Sequence, residues 1–132
     1  MKALLDTHSF LWAGIEPEKL STAARKLIGD SSHQVHVSTV SFWEISLKFA
    51  LGKLRLTGCR PDDLVPLANE MGLDIVAPTA EESAGFYRLP KFAHKDPFDR
   101  MLIWQCLQRD WTFISRDRAL GEYEALGLRT FF

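Results

Sequence analysis

A chain of 132 residues, 46% of them hydrophobic and 25% charged, is enough for one folded domain over residues 1–132 with a substantial core, and its composition excludes a disordered or fibrous protein. The formal net charge of −1 excludes a global attraction to nucleic acid, so any polyanion has to be held by a local basic patch or through metal ions. Two cysteines far apart, Cys59 and Cys106, with no CxxC pattern, argue against a disulfide framework or a zinc site.

In chain order, residues 2–6 (KALLD) read as a short buried strand, too brief for a helix. Asp6 interrupts this apolar run too early for a signal-peptide core, and no later run is long enough to cross a bilayer, so a cytoplasmic protein without a membrane segment is expected. A helix over 8–14 follows, then a second over 21–28 capped by Ser21, then a strand over 34–38 (QVHVS). Ser38 or Thr39 opens a long helix in which Val40, Trp43, Leu47, Ala50 and Leu51 recur at helical spacing, with Gly52 as its stop.

A helix over 61–71, weakened by Pro66, leads to a strand over 73–77 and to a helix over 79–89 opened by the Thr79/Glu82 capping box. Asp96 and Pro97 then start another helix as N-cap and first residue. The chain closes with a strand over 111–115, a helix over 117–126 ending at Gly127, and a strand over 128–132. The four tryptophans and nine phenylalanines are mostly core by spacing, with Phe10 and Trp12 as a possible exposed patch for a partner.

Short apolar strands alternating with helices predict an α/β fold: a central parallel sheet of about four to five strands covered by helices on both sides. In such sheets ligands bind outside the carboxyl ends of the strands. Asp6 ends the first strand and Asp117 follows the strand 111–115 by two residues. Asp99 starts a helix that runs back against that strand, at the head of the stripe Leu102, Ile103 and Cys106. Glu44 falls between Val40 and Leu47 on the apolar side of its helix.

Each acid has a plain structural role open to it: Asp6, Asp96 and Asp117 as helix caps or turn residues, Glu44 as the i,i+4 partner of Lys48. A cap contributes about 1 kcal/mol, whereas two carboxylates about 4 Å apart repel by roughly 4 kcal/mol at an effective dielectric of 20. Acids gathered at one edge therefore need protons or a cation among them. An all-oxygen set without cysteine suits a hard ion, Mg²⁺ or Mn²⁺, which keeps waters and accepts phosphate oxygens.

The ordered segments LLDTHSFLW, VSTVSFWEISLKFALGKLRL, HKDPFDRMLIWQC and FISRDRAL resemble the PIN-domain nucleases, and among them the VapC toxins of type II toxin–antitoxin pairs, over almost the whole chain. Trp104 and Cys106 stand where that family usually has small residues, and Ser115 replaces a common threonine. The resemblance implies a PIN-like fold and metal-dependent cleavage of single-stranded or looped RNA. Its four acids fall on Asp6, Glu44, Asp99 and Asp117, with Asp6 and Asp99 holding Mg²⁺ and the other two completing the ring. A metal-bound water would attack phosphorus in line and leave 5′-phosphate and 3′-hydroxyl ends. Also implied are an antitoxin whose C-terminal segment covers the groove, and a homodimer.

Lys48, Lys91, His94, Lys95, Arg100, Arg116 and Arg118 lie near the acids in sequence, with Lys95, Arg116 and Arg100 expected to hold substrate phosphates. Thr7, Asp96 and Ser115 are expected behind the ligands. A receiver-type signalling domain lacks its acceptor Asp after residues 73–77, and a phosphatase of the DxD type meets Asp6-Thr7-His8 instead. A PIN fold that binds RNA or a partner without cutting has no need to gather repelling carboxylates.

Overall fold

The computed structural model describes residues 1–132. Five strands, β1 (Lys2–Leu5), β2 (Gln34–Ser38), β3 (Asp74–Val76), β4 (Thr112–Ile114) and β5 (Arg129–Phe131), form one sheet in the order β3-β2-β1-β4-β5, with every pairing parallel. Seven helices flank it: α1 (Thr7–Ile15), α2 (Thr22–Gly29), α3 (Thr39–Ala50), α4 (Leu64–Glu70), α5 (Ala80–Gly85), α6 (Pro97–Arg109) and α7 (Gly121–Glu124). None is long and apolar enough to cross a membrane.

Alternation along β1 divides the core. Ala3 and Leu5 face one side, with Phe10, Ala24, Val35 and Val37, and Leu4 faces the other, with Leu102, Ile103, Phe113 and Tyr123. After β1 the chain winds outward through β2 to β3, then crosses back to place β4 on the other side of β1. The gap beyond the ends of β1 and β4 is thus the point where the winding reverses, the usual location of a ligand crevice. Asp6 N–H donates to the Ile114 carbonyl at 3.0 Å and ties the two strand ends together there.

Several elements differ from the sequence expectation. The helix expected over 117–126 is only the turn Gly121–Glu124, because Asp117 turns back on itself: its N–H donates to Ser115 Oγ and its Oδ1 accepts from Ala119 N–H. The segments 61–71 and 79–89 each divide into a short α-helix and a 3-10 turn, Pro61–Asp63 before α4 and Phe86–Arg88 after α5. Gly52 does end α3, at φ 71°.

The larger correction concerns the outward face of α3. Trp43 is 64% exposed and Leu47 and Leu51 are exposed too, while Ser41, Glu44 and Ile45 point inward. Helix α3 thus buries Ser41 and Glu44 beside Val40 and Ile45 and leaves Trp43, Leu47 and Leu51 to solvent. Phe10, expected as part of a surface patch, is buried in the core against Phe42, and only Trp12 of that pair is half-buried.

Candidate active site

Asp6 is the residue at which β1 becomes α1. Its extended backbone makes it the N-cap, with Oδ1 accepting from Ser9 N–H at 2.7 Å. The cap uses one carboxylate oxygen. Asp96 caps α6 in the same way, accepting from Phe98 N–H at 2.8 Å, and Pro97 takes the first helical position, where no N–H is required. Asp99 is therefore free of capping duty and sits in the first turn of α6, one turn before Ile103.

Asp6, Asp99 and Asp117 line one cavity of about 370 Å³ at the winding reversal, together with His8, Trp12, His94, Ser115 and Arg116. Glu44 lies behind this wall at 2% exposure. Thr7 Oγ1 donates to Glu44 Oε1 at 2.6 Å and lies 3.0 Å from Ser41 Oγ, and Lys48 Nζ forms an ion pair with Glu44 Oε2. The i,i+4 pair open to Glu44 from the sequence is thus formed.

The charge balance is uneven. Burial first, then the charges of Asp96, Glu44 and Asp6, push the Asp99 carboxyl up to about 7, with His94 acting in the opposite sense. Partial burial disfavours the charge on Lys48, but the hydrogen bond and charge of Glu44, with Asp96 and Asp99 nearby, outweigh it and raise its pKa. Burial likewise opposes the charge on Asp117. The His94 Nε2 contact at 2.6 Å, the Ala119 N–H and the His94 charge overcome this and hold Asp117 below the ordinary carboxylate value.

Two of the four acids therefore have protein partners for their charge, and Asp99 has none. No three side chains among the His, Cys, Asp and Glu residues stand close enough to enclose an ion as placed. The donor chemistry nonetheless fits a hard divalent cation: carboxylate oxygens on a shared cavity, no thiolate among them, and a negative excess at Asp99 that a cation would relieve. Both cysteines are free thiols, and burial pushes the pKa of Cys106 up.

The expected cations occupy different positions. Arg116 lines the cavity. Lys95 is exposed and is not part of the cavity wall. Arg100 is turned away, its Nη2 donating to the Leu89 carbonyl at 3.0 Å and its guanidinium lying over the Phe86 ring. Ser115 supports the Asp117 turn, and Asp96 acts on Asp99 through its charge while capping the helix. The contact of His94 with Asp117 was not foreseen. Adjacency to the DPFD segment singled out His94 only as a possible phosphate contact, and nothing in the sequence pairs residues 23 positions apart.

The profile of the PIN domain matches residues 3–126 of this chain. The chain belongs to the PIN-domain family. Among characterised members it is 26% identical over 120 residues to Ribonuclease VapC22 of Mycobacterium tuberculosis, an alignment covering 91% of this chain and 90% of that one. The fold is similar to that in the VapBC2 complex of Rickettsia felis bound to a DNA fragment from its promoter, with a TM-score of 0.66 at 12% identity, covering 99% and 98% of the two chains. It is also similar to FitAcB of Neisseria gonorrhoeae, with a TM-score of 0.60 at 17% identity over 98% and 96%. The five-stranded parallel sheet with helices on both faces is thus the PIN architecture, and in this chain Asp6, Asp99 and Asp117 line one cavity at its strand ends.

Proposed function

We propose that this PIN-domain protein is a metal-dependent endoribonuclease, the toxin of a type II toxin–antitoxin pair, acting on RNA phosphodiesters with Mg²⁺ or Mn²⁺. The observation that carries the reading is the cavity at the winding reversal, where Asp6, Asp99 and Asp117 converge and the charge of Asp99 is unrelieved. Asp6 and Asp99 would hold the ion, with Asp117 on the same cavity and Glu44 behind. When bound, such an ion acidifies a water and stabilises charge developing on phosphoryl oxygens.

The chain's own residues divide the remaining work. The α1 N-cap fixes the Asp6 carboxylate, and His94 fixes that of Asp117. Thr7 and Lys48 keep Glu44 oriented beneath Asp99. Arg116 contributes positive charge to an otherwise acidic cavity, where a substrate phosphate needs it.

The partners follow from surfaces. Val40, Trp43, Pro78, Phe86, Phe98 and Met101 border an apolar groove of about 500 Å³ between α3, α5 and α6. The exposed indole of Trp43 on this groove supports a homodimer in which the face packs against its own copy about a two-fold axis. An antitoxin segment covering the acidic cavity is the second partner, in keeping with the likeness to structures solved as VapBC2 and FitAcB. A cytoplasmic location accompanies this assignment.

The test is incubation of the purified chain, freed of partners, with single-stranded RNA in Mg²⁺ or Mn²⁺, beside EDTA and beside Asp99→Asn. Cleavage with 5′-phosphate ends that disappears in both controls supports the proposal. Cleavage that survives EDTA, or that leaves cyclic phosphates, refutes it.

A further inference from the structure

Beside its acids, the cavity is lined by the Trp12 indole, His8 and Arg116. The Arg116 Cζ lies 4.6 Å from the Trp12 ring centroid, a cation–π distance. Arg116 forms no ion pair with Asp117, its neighbour in sequence, or with Asp6, although all three border the same cavity. Its guanidinium donors are therefore available to a ligand. Trp12 is braced edge-on by Phe132, at 6.3 Å between centroids and 68° between planes, so the indole is held in place while half-buried.

We propose that Trp12 and Arg116 form a nucleotide subsite in which the indole stacks on one unpaired base of the RNA while the guanidinium holds an adjoining phosphate. The proposal rests on the reading of the cavity as an RNA-cleavage site and specifies what that site takes. A guanidinium lying on an indole occupies the position that a base would share, since both are planar, π-stacking groups. Stacking on an aromatic side chain is tolerant of base identity but requires a base whose face is not already covered by a neighbour. The subsite therefore selects for an unpaired nucleotide beside the cleaved bond and does not by itself read sequence.

Geometry fixes the distance between base and chemistry. Trp12 and the Asp6 N-cap belong to the same helix, six residues apart, so their backbone positions are offset by about 9 Å along the axis at 1.5 Å per residue. The helix makes this separation rigid. Phosphate at the carboxylates and base at the indole then share one cavity, whose volume of about 370 Å³ lies at the lower end of the range for small-ligand sites, about 300–1,000 Å³.

The experiment is an abasic walk along a short single-stranded RNA. Binding is read by fluorescence anisotropy in Ca²⁺, and cleavage of the same RNAs is followed in Mg²⁺. At one position the abasic substitution should weaken binding to the wild-type chain by about 10-fold, within the 5- to 150-fold that one stacked base supplies. Trp12→Ala should bind intact RNA about 10-fold more weakly and show no further loss at that position, while Trp12→Phe retains most of the affinity. Arg116→Ala should lower the slope of log affinity against log salt by about one.

The subsite is refuted if Trp12→Ala binds intact RNA as the wild type does, or if the abasic loss persists undiminished in that variant. Should Trp12→Ala fail to fold, Trp12→Leu replaces it, and the same comparison decides. Base-dependent binding without cleavage in Mg²⁺ would sink the nuclease reading and leave the subsite standing. Cleavage indifferent to Trp12 and to abasic sites would do the reverse.

Discussion

Replacing Asp99 by Asn tests the electrostatics of the site without any substrate. In the unfolded chain this carboxyl ionises near 3.8, and in the folded chain it keeps its proton to about 7, mainly through burial and then through Asp96, Glu44 and Asp6. A raised acid binds more protons when folded, so stability falls as pH rises from about 4 to about 7 and is level beyond. At 1.36 kcal/mol per unit of pKa, the cost at pH 8 is at most about 4 kcal/mol. Asn has the same size and does not titrate.

In EDTA, Asp99→Asn should therefore match the wild type near pH 4 and exceed it at pH 8 by about 2–4 kcal/mol. For a chain of this length that is a rise in Tm of about 8–16 °C. Urea or thermal unfolding at pH 4, 6 and 8 reads the difference directly. Adding Mg²⁺ at pH 8 should narrow the gap, because the wild type gains from binding and the variant gains little. A variant less stable than the wild type at pH 8, or a difference that does not change with pH, would refute the argument.

Other outcomes follow from the contacts around the site. Arg109 binds both oxygens of Glu82 at 2.8 Å, where the hydrogen bond lowers the pKa of this buried acid. Arg109→Ala should cost about 3–5 kcal/mol at pH 7 in chemical unfolding, and less as pH falls through the depressed pKa of Glu82 and the acid takes up its proton. Thr7→Val removes the hydroxyl that donates to buried Glu44 and should cost about 1–3 kcal/mol, whereas Thr7→Ser should largely restore it. Trp43→Asp should leave the melting transition within about 1 kcal/mol of wild type but shift the sedimentation coefficient from dimer to monomer. An unchanged coefficient would remove α3 from the dimer contact.

The positions of the acids were legible because a parallel sheet leaves few options. Once KALLD and WTFIS are read as strands, Asp6 and Asp117 must lie at the carboxyl edge, and the antiparallel return of α6 brings Asp99 to the same place. Asp96 was legible as a cap for a similarly local reason: Asp-Pro before an apolar run has one conformation that satisfies the helix start. The link between His94 and Asp117 was not, since it depends on how the segment before α6 crosses the strand ends. No periodicity encodes that crossing.

Helix α3 shows why a pattern can lead to the right residue by the wrong face. Its apolar positions Val40, Trp43, Leu47 and Leu51 repeat at helical spacing, and that stripe reads as core because burial in a fold and burial against a second chain leave the same mark on a sequence. Val40 is buried, but Trp43, Leu47 and Leu51 are turned outward, and Glu44 reaches the site from the opposite side, among Ser41, Ile45 and Thr7. Its carboxylate is tolerable there only because Lys48 and Thr7 are within reach. The same helix thus serves two surfaces, an acid held beneath the cavity and an indole held out to solvent. Because Phe98 on α6 packs edge-on against Trp43 at 5.0 Å, one residue before Asp99, a partner docking on the apolar face would bear on the first turn of the helix that carries the least compensated acid.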